Sequence, residues 1–513
     1  MDELSGHLEE QATERRRENL RQQAGLLLAP LMFGILWFIP IEGLTSPAHH
    51  LLAILALVVT LWISEAVPLP ATALLGPALC VVVGMGPARE VFRSFADPII
   101  LLFLGSFLLA EGMLHQGLNR RIAFQILGLP GVGRSPARLL AAFGGITALI
   151  SMWVSNTATT AMMFPIGVAI LTEMARRESE RLGRTVAFTE LRFGTGLMLT
   201  AAFASSIGGL GTPVGSPPNL IGIGLIAKHL QVQISFFQWM AIGVPITLVL
   251  VSFLILYLNR VCPADRDSLG DNAQWLLGEK AKLGPLRRGE RLVLLAFGAT
   301  VVLWLLPGVV RVVVGESAPL TQWLNQRFPE SIAALAGALV LFLLPIDFRT
   351  REFALTWNEA KRIDWGTILL FGGGLALGDL MFSTGLAQWM GQGLAHALQA
   401  RTSLGLVLLF SAVAIVLSET TSNTAAATMV VPVAIAVAQA AGVDPLPPAL
   451  AACLAASMGF MLPVSTPPNA IVYGSGCVPL LKMVRYGALL DLVGFLVIVP
   501  VTTWFVPWLM KVR

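Results

Sequence analysis

Apolar stretches of about 17 to 25 residues, separated by short polar segments, recur along the chain from about residue 24 to about residue 509. An α-helix of that length crosses about 30 Å of hydrocarbon at a rise of about 1.5 Å per residue. The pattern predicts an all-α polytopic membrane protein. The largest polar interval, at about 259 to 290, is too short for a soluble domain and is interpreted as a cytoplasmic loop.

Two intervals, 139 to 172 and 402 to 443, are too long for a single crossing, and each has a Ser-Asn-Thr triplet near its centre. The first contains no charged residue, and the second contains only Glu419. A straight helix over the first interval would be about 51 Å long. Non-helical backbone is tolerated at membrane depth where protein or a water-filled cavity surrounds it. Each interval is therefore predicted to fold back at its triplet as a re-entrant hairpin. The triplets are Ser155, Asn156 and Thr157 in the first interval, and Ser422, Asn423 and Thr424 in the second.

Composition and charge support the membrane class and orient the chain. Hydrophobic residues make up 55% of the sequence and charged residues only 12%. Placing the loops rich in Lys and Arg on the cytoplasmic side predicts about eleven spans plus the two hairpins, with the N-terminus cytoplasmic. The hairpins then enter from opposite faces. Residues 1–23 are polar and are interpreted as a cytoplasmic helix rather than a cleavable signal.

The second half of the chain repeats blocks of the first half in the same order. The block 99–118 matches 367–386 at an offset of 268 residues, and the two triplets match at an offset of 267. The block 211–219, which ends in Pro-Pro-Asn, matches 461–469. Because the hairpins enter from opposite faces, the two halves are predicted to be inverted repeats, an arrangement typical of secondary transporters.

The Pro-Pro-Asn blocks lie in two further long uncharged intervals, 193 to 227 and 445 to 481. Paired prolines cannot continue the hydrogen-bond ladder of a helix. Both intervals are therefore predicted to be helices broken near the membrane midplane, whose free carbonyls attract a cation and whose free amides attract an anion.

The triplets have the chemistry of a shared cation and anion site. Serine and threonine hydroxyls and the asparagine amide offer oxygen acceptors as well as donors. No Lys or Arg lies in either hairpin or either broken helix. We expect the charge of an anionic substrate to be offset by bound cations and helix ends rather than by a fixed arginine.

On these motifs the chain resembles the divalent anion/sodium symporters, a family of sodium-dependent dicarboxylate, citrate and sulfate transporters. The resemblance covers nearly the whole chain from about residue 24. It implies secondary active transport of di- or tricarboxylates of the succinate, malate and fumarate class, coupled to Na⁺. It also implies a homodimer in a bacterial inner membrane, in which a scaffold holds an elevator-like transport domain. A sodium-independent dicarboxylate exchanger and a sulfate transporter of the same family are the alternatives.

Site residues follow from the same resemblance. One Na⁺ site would comprise Ser151, Ser155, Asn156 and the Gly215 carbonyl, and the other would comprise Ser418, Thr421, Asn423 and the Ser465 carbonyl. The substrate would lie between the two triplets, in contact with Ser155, Asn156, Thr157, Ser422, Asn423, Thr424, Thr466 and Pro467.

The expected division of the chain alternates scaffold and transport parts. A cytoplasmic helix (1–23) precedes the scaffold part (24–138) and transport part (139–258) of the first repeat, a cytoplasmic loop (259–290), and the scaffold part (291–400) and transport part (401–513) of the second repeat.

Other interpretations are weaker on the sequence. A membrane enzyme is disfavoured because no Gly-x-Ser-x-Gly or His-Glu-x-x-His motif occurs. Broken helices could also line an ion channel, although a channel needs no two-fold set of such elements. Basic patches interleaved with aromatic residues, typical of nucleic-acid binding, are not found. The intramembrane Glu419 is interpreted as a capping residue rather than part of a proton relay.

Overall fold

The computed structural model describes residues 2–264, 272–315, 317–347, 349–397 and 402–511, and α-helices account for most of them. In the first half the helices are α1 (Asp2–Phe38), α2 (Ser46–Ser64), α3 (Leu69–Val82), α4 (Ala88–Val91), α5 (Pro98–Gln116), α6 (Leu118–Leu127), α7 (Pro136–Ser151), α8 (Asn156–Leu182), α9 (Arg192–Gly208), α10 (Pro217–Leu230), α11 (Phe236–Val261) and α12 (Asn272–Lys282).

The second half continues the helical pattern and adds one short antiparallel pair of strands, β1 (Pro345–Asp347) and β2 (Glu352–Phe353). Its helices are α13 (Arg288–Val314), α14 (Pro319–Arg327), α15 (Glu330–Leu343), α16 (Trp357–Ala360), α17 (Trp365–Ser383), α18 (Leu386–Ala397), α19 (Ser403–Thr420), α20 (Asn423–Ala440), α21 (Leu446–Ala455), α22 (Pro467–Tyr473), α23 (Leu480–Pro500) and α24 (Val506–Lys511).

The helices have the lengths that a polytopic membrane protein needs. Within the described residues, 10 helices are long and apolar enough to cross a membrane. The pair α14 and α15, bent by 54°, raises that number to 11 if it counts as one broken span. The predicted all-α polytopic class is confirmed. Three of the 10 candidates, α8, α19 and α20, belong to the segments predicted as hairpins.

Two polar segments contain helix, as expected for residues 1–23 and contrary to the loop expected at 259–290. Helix α1 continues from Asp2 through residue 23 into the apolar stretch without interruption. The interval 259–290, interpreted as a loop, contains α12, and residues 265–271 of that interval lie outside the described part. Leu276 of α12 is buried and α12 packs against α6, so tertiary contacts stabilise a short helix that its polar composition alone would not.

The helices are interrupted at the places that the motifs predict. Residues 152–155 separate α7 from α8, and residues 421–422 separate α19 from α20. We call Ser155, Asn156 and Thr157 the first tip, and Ser422, Asn423 and Thr424 the second tip. The first break, residues 212–216, separates α9 and its short 3₁₀ extension from α10, and the second break, residues 456–466, separates α21 from α22. The paired prolines open α10 and α22, where a missing amide hydrogen costs no helical bond.

The interrupted helices of the two halves pack into one unit. In each half the first hairpin arm contacts the helix before the break, α7 against α9 and α19 against α21. Across the halves, α10 contacts α20 and α22 contacts α8. Phe203 of α9 and Phe460 of the second break stack edge to face, with ring centroids 5.2 Å apart. Both tips and both breaks are therefore held together by mutual packing.

Candidate functional site

Each tip begins a helix through a serine cap. The side chain of Ser155 accepts from the Ala158 amide at 3.3 Å, and the side chain of Ser422 accepts from the Ala425 amide at 3.2 Å. Serine is a preferred capping residue because its hydroxyl satisfies a free amide of the first turn. The local sequence therefore ends one hairpin arm and starts the other at the same point in both halves.

A serine from the preceding helix lies beneath each tip and contacts its asparagine. The Ser151 hydroxyl is 2.7 Å from Asn156 Oδ1, and the Ser418 hydroxyl is 2.7 Å from Asn423 Oδ1. Ser418 also lies 2.8 Å from the Ala456 carbonyl of the second break. Three oxygens therefore lie close together at the second tip, and uncharged oxygens are suitable ligands for a hard cation such as Na⁺.

The asparagine of each Pro-Pro-Asn block closes its own break. The Asn219 amide donates to the carbonyls of Gly209 at 2.7 Å and Thr212 at 2.8 Å. The Asn469 amide makes the corresponding bonds to Gly459 at 3.1 Å and Leu462 at 3.0 Å. These bonds satisfy carbonyls that the interrupted helix leaves free.

The first break folds against the first tip. Thr212 Oγ1 donates to the Met152 carbonyl, and the Gly215 amide donates to Thr212 Oγ1 at 3.1 Å. Gly209 lies so close to the tip that a Cβ there would be 2.5 Å from Asn156 Oδ1 and 3.1 Å from the Gly215 carbonyl oxygen. Two of the expected cation ligands, Asn156 and the Gly215 carbonyl, therefore face the same point.

The second break repeats that approach and adds a carboxylate. A Cβ on Gly459 would be 3.0 Å from Ser418 Oγ and 3.1 Å from Asn423 Oδ1. Glu419, only 2% exposed, accepts from the Met461 amide at 2.7 Å and the Leu462 amide at 3.2 Å. Glu419 thus caps free amides of the second break, as its interpretation as a capping residue requires.

The remaining expected ligands lie close to the same two places. Ser151, Ser418 and Thr421 are fully buried. Thr421 Oγ1 contacts the Leu417 carbonyl at 3.0 Å, and Ser465 Oγ donates to the Glu419 carboxylate at 2.5 Å. The hydroxyls of Thr421 and Ser465 are thus engaged locally, and it is the carbonyl of Ser465 that the sequence proposed as a ligand.

One cavity of about 720 Å³ lies between the two tips. Its walls include all eight residues expected to touch the substrate, Ser155, Asn156, Thr157, Ser422, Asn423, Thr424, Thr466 and Pro467. Thr466 caps α22 by accepting from the Asn469 amide at 3.4 Å, so the second break contributes the start of a helix to the wall. The structure brings together residues separated by more than 300 positions in sequence. The cavity volume suits a small organic ion.

Charged residues outside the tips and breaks also line this cavity, and sequence reasoning did not assign them to the site. Arg362 and Asp364, both exposed, precede α17, and Glu111 lies near the end of α5. Arg362 comes from a loop outside the hairpins and broken helices, so the lack of Lys and Arg in those segments does not exclude an arginine from the cavity wall. The sequence signal was the basic cluster at 349–362, which we used only to assign orientation.

These features together define a class of protein: a polytopic membrane transporter whose site is built from helix interruptions around a central cavity. The chain belongs to the family described as the sodium:sulfate symporter transmembrane region, whose model matches residues 20–512. This membership supports a transporter over a membrane enzyme.

Curated relatives match the chain along nearly its whole length. The sodium-dependent dicarboxylate transporter SdcS of Staphylococcus saprophyticus is 35% identical over 501 residues, covering 96% of this chain and 93% of the relative. The transporter of the same name from Staphylococcus aureus strain USA300 is 33% identical over 491 residues, covering 95% and 91%.

Two solved structures share the fold at low sequence identity. The YdaH transporter of Alcanivorax borkumensis aligns with a TM-score of 0.56 and 13% identity, covering 96% of this chain and 98% of that one. MtrF of Neisseria gonorrhoeae, described as belonging to a class of antimetabolite efflux pumps, aligns with a TM-score of 0.52 and 13% identity, covering 90% and 95%. At this identity the similarity concerns the fold alone.

Proposed function

We propose that the protein is a secondary transporter that moves dicarboxylates of the succinate class across a bacterial cell membrane, driven by Na⁺. The observation that carries this proposal is the single cavity between the two tips, whose walls hold all eight expected substrate contacts. The names of the curated relatives support the same substrate class and coupling ion.

The expected Na⁺ sites lie directly behind the cavity wall. Asn156 and Asn423 line the cavity and also contact Ser151 and Ser418, which are buried behind them. Substrate and cation would therefore share Ser155 and Asn156 at the first tip and Asn423 at the second. A Na⁺ ion bound at each tip would offset part of the substrate charge, because an uncompensated buried ion costs several kcal/mol.

Arg362, which is exposed, supplies a further positive charge in the cavity wall. Glu111 and Asp364 share the wall with it, so this part of the cavity has mixed charge rather than a purely cationic surface. We propose that Arg362 attracts the dianion at the cavity entrance and that Na⁺ provides the compensation deeper between the tips. This division of roles suits a substrate that must be released as well as bound.

Alternating access is proposed to occur by movement of the packed unit of tips and breaks as one body against the scaffold. Its support is the cross-packing of the two halves, α10 on α20 and α22 on α8. The same proposal includes the inverted relation of the repeats, the homodimer and the cytoplasmic N-terminus. It also includes the division of the chain at 24–138, 139–258, 291–400 and 401–513. Each follows from the repeats, the charge pattern or the family resemblance.

Uptake of labelled succinate into proteoliposomes tests the proposal. An inward Na⁺ gradient should drive saturable accumulation, and replacing Na⁺ with choline should abolish it. Uptake that instead requires internal dicarboxylate and ignores Na⁺ would favour the exchanger. Competition between the two anions separates a dicarboxylate transporter from a sulfate transporter. For a dicarboxylate transporter, unlabelled sulfate should inhibit the uptake of labelled succinate only weakly.

A further inference from the structure

A charged cluster outside the cavity links α10 to the scaffold. Lys228, in the last turn of α10, donates to Asp379 of α17 and to Ser94 Oγ, the latter at 3.1 Å. Ser94, in the turn before α5, donates to the same Asp379 oxygen at 2.5 Å. We call these three residues the Lys228 cluster. It joins a helix of the packed unit to two scaffold elements.

The Lys228 cluster and the cavity residues Glu111 and Asp364 lie at opposite ends of α5 and α17. Glu111, in the cavity wall, is about 20 Å along α5 from Pro98, the residue at its start. Asp379 is about 21 Å along α17 from Trp365, which directly follows the cavity residue Asp364. A movement of α5 or α17 at the cavity end therefore also moves the end that carries the Lys228 cluster.

Helix α10 connects the two places directly. It begins at Pro217, which lines the cavity, and reaches Lys228 about 17 Å further on. The Lys228 to Asp379 ion pair fixes the far end of this helix to α17. Neither residue lines the cavity between the tips, so their effect on transport must pass through the helices that reach it, α10 and α17.

The cluster lies at the wall of a second cavity. This cavity, of about 640 Å³, is lined by Lys228 and Asp379 together with Glu90, Arg93 and Asp97. The side chains of Lys228 and Asp379 are 35% and 27% exposed, so both charges are already partly hydrated and their ion pair can break without burying either charge alone.

The repeat does not supply a second copy of this cluster at the equivalent positions. At the offset of 268 residues, Asp379 matches Glu111 and Arg362 matches Ser94. Lys228, at the 250-residue offset of the Pro-Pro-Asn blocks, matches Val478. The carboxylate at the cavity end therefore has no lysine from a broken helix opposite it and faces Arg362, which precedes α17 in the chain.

We propose that Lys228 and Asp379 are positioning residues for transport. Their ion pair holds α10 against α17 while the cavity is open at the Glu111 end. When the packed unit moves, α10 separates from α17 and this ion pair breaks. The inference rests on the proposed transport function and adds to it the residues that decide which face the empty site prefers.

Cysteine labelling at Ala161 measures that preference without using the substrate. Ala161 lines the cavity but belongs to neither tip, and the four native cysteines are all buried. In the Ala161→Cys parent, a membrane-impermeant thiol reagent added on the Arg362 face should label the new cysteine. Adding Lys228→Met or Asp379→Asn should lower that labelling at least about fivefold, because the open state loses its ion pair.

Charge exchange and a matched control complete the experiment. The double change Lys228→Asp with Asp379→Lys should restore labelling, and Lys482→Met, which removes an exposed lysine of α23, should leave it unchanged. Labelling within about twofold of the parent in both single variants would overturn the inference, as would a loss that the double variant does not reverse.

Succinate binding by the purified variants separates this inference from the proposed function. The apparent succinate affinity of both single variants should fall only by the factor by which the fraction of protein in the open state falls. Succinate contacts themselves should be unchanged, because neither residue lines the cavity. Failure of the parent protein itself to bind succinate contradicts the proposed function but leaves the labelling result interpretable.

Discussion

The side-chain amide of Asn219 donates to the Gly209 carbonyl at 2.7 Å across the first break, and Asn469 repeats this bond to Gly459 at 3.1 Å across the second. Each pair is separated by ten residues, and both glycines contact the asparagine of a tip. The breaks and tips therefore form two copies of one local structure. The expected cation ligands meet where a glycine leaves room for them.

Alanine at Gly459 should weaken Na⁺ binding. The added Cβ would lie 3.0 Å from Ser418 Oγ and 3.1 Å from Asn423 Oδ1, which is the space expected for the cation. We predict that the Na⁺ concentration for half-maximal succinate uptake rises at least about tenfold. Gly145→Ala on α7 is the control, because nothing lies within 4 Å of its Cβ position. Equal Na⁺ dependence of the two variants would exclude a cation at this position.

Alanine at Asn156 or Asn423 should lower transport by at least about tenfold at unchanged membrane expression. Each asparagine lines the cavity and contacts a buried serine behind it, so its loss removes a group that substrate and cation share. Thr172→Ala, near the exposed part of α8, serves as the control. Near-normal succinate uptake in both asparagine variants would contradict the assigned site.

Replacing Arg362 should weaken the attraction of the dianion more than it changes turnover. We predict that Arg362→Gln raises the succinate concentration for half-maximal uptake several-fold, while Arg362→Lys has a smaller effect because it keeps the charge. The difference in half-maximal succinate concentration between Arg362→Gln and the parent should shrink at high ionic strength, since Arg362 is exposed and salt screens its charge. Arg349→Gln, an exposed arginine outside the cavity wall, is the control. An unchanged half-maximal concentration would remove Arg362 from the site.

Glu419→Gln should destabilise the second break. The carboxylate accepts from two backbone amides and from Ser465 Oγ, and bonds to a charged acceptor contribute about 1.5 to 3 kcal/mol each. Thermal unfolding of the purified variant should therefore begin at a lower temperature than that of the parent. Added Na⁺ should raise the unfolding temperature of the variant less than it raises that of the parent. Glu352→Gln, on the exposed strand β2, should change neither. Unfolding at the parental temperature would show that Glu419 does not hold the break.

The sequence predicted the tips and breaks because their determinants are local. Serine caps at Ser155 and Ser422 and the paired prolines that open α10 and α22 are each encoded within a few residues. The duplication then identified the two sets as equivalent, and the family resemblance assigned their roles.

Residues that act through tertiary packing could not be found in the same way. Arg362 reaches the cavity because α17 packs beside α5, and no local pattern distinguishes it from a basic residue that marks orientation. The pairing of Lys228 with Asp379 joins residues 151 positions apart. Helix α12 forms because its Leu276 is buried, which its polar sequence does not indicate.

Binding of succinate to the purified protein, titrated in NaCl and in choline chloride, tests the central claim most directly. The claim is that Na⁺ beside Asn156 and Asn423 compensates the substrate charge in the cavity that both residues line. Succinate should bind at least about tenfold more tightly in NaCl, and succinate should tighten Na⁺ binding by the same factor, because linkage is reciprocal. Equal succinate affinity in the two salts would contradict the account and leave the sodium-independent exchanger as the better explanation of this site.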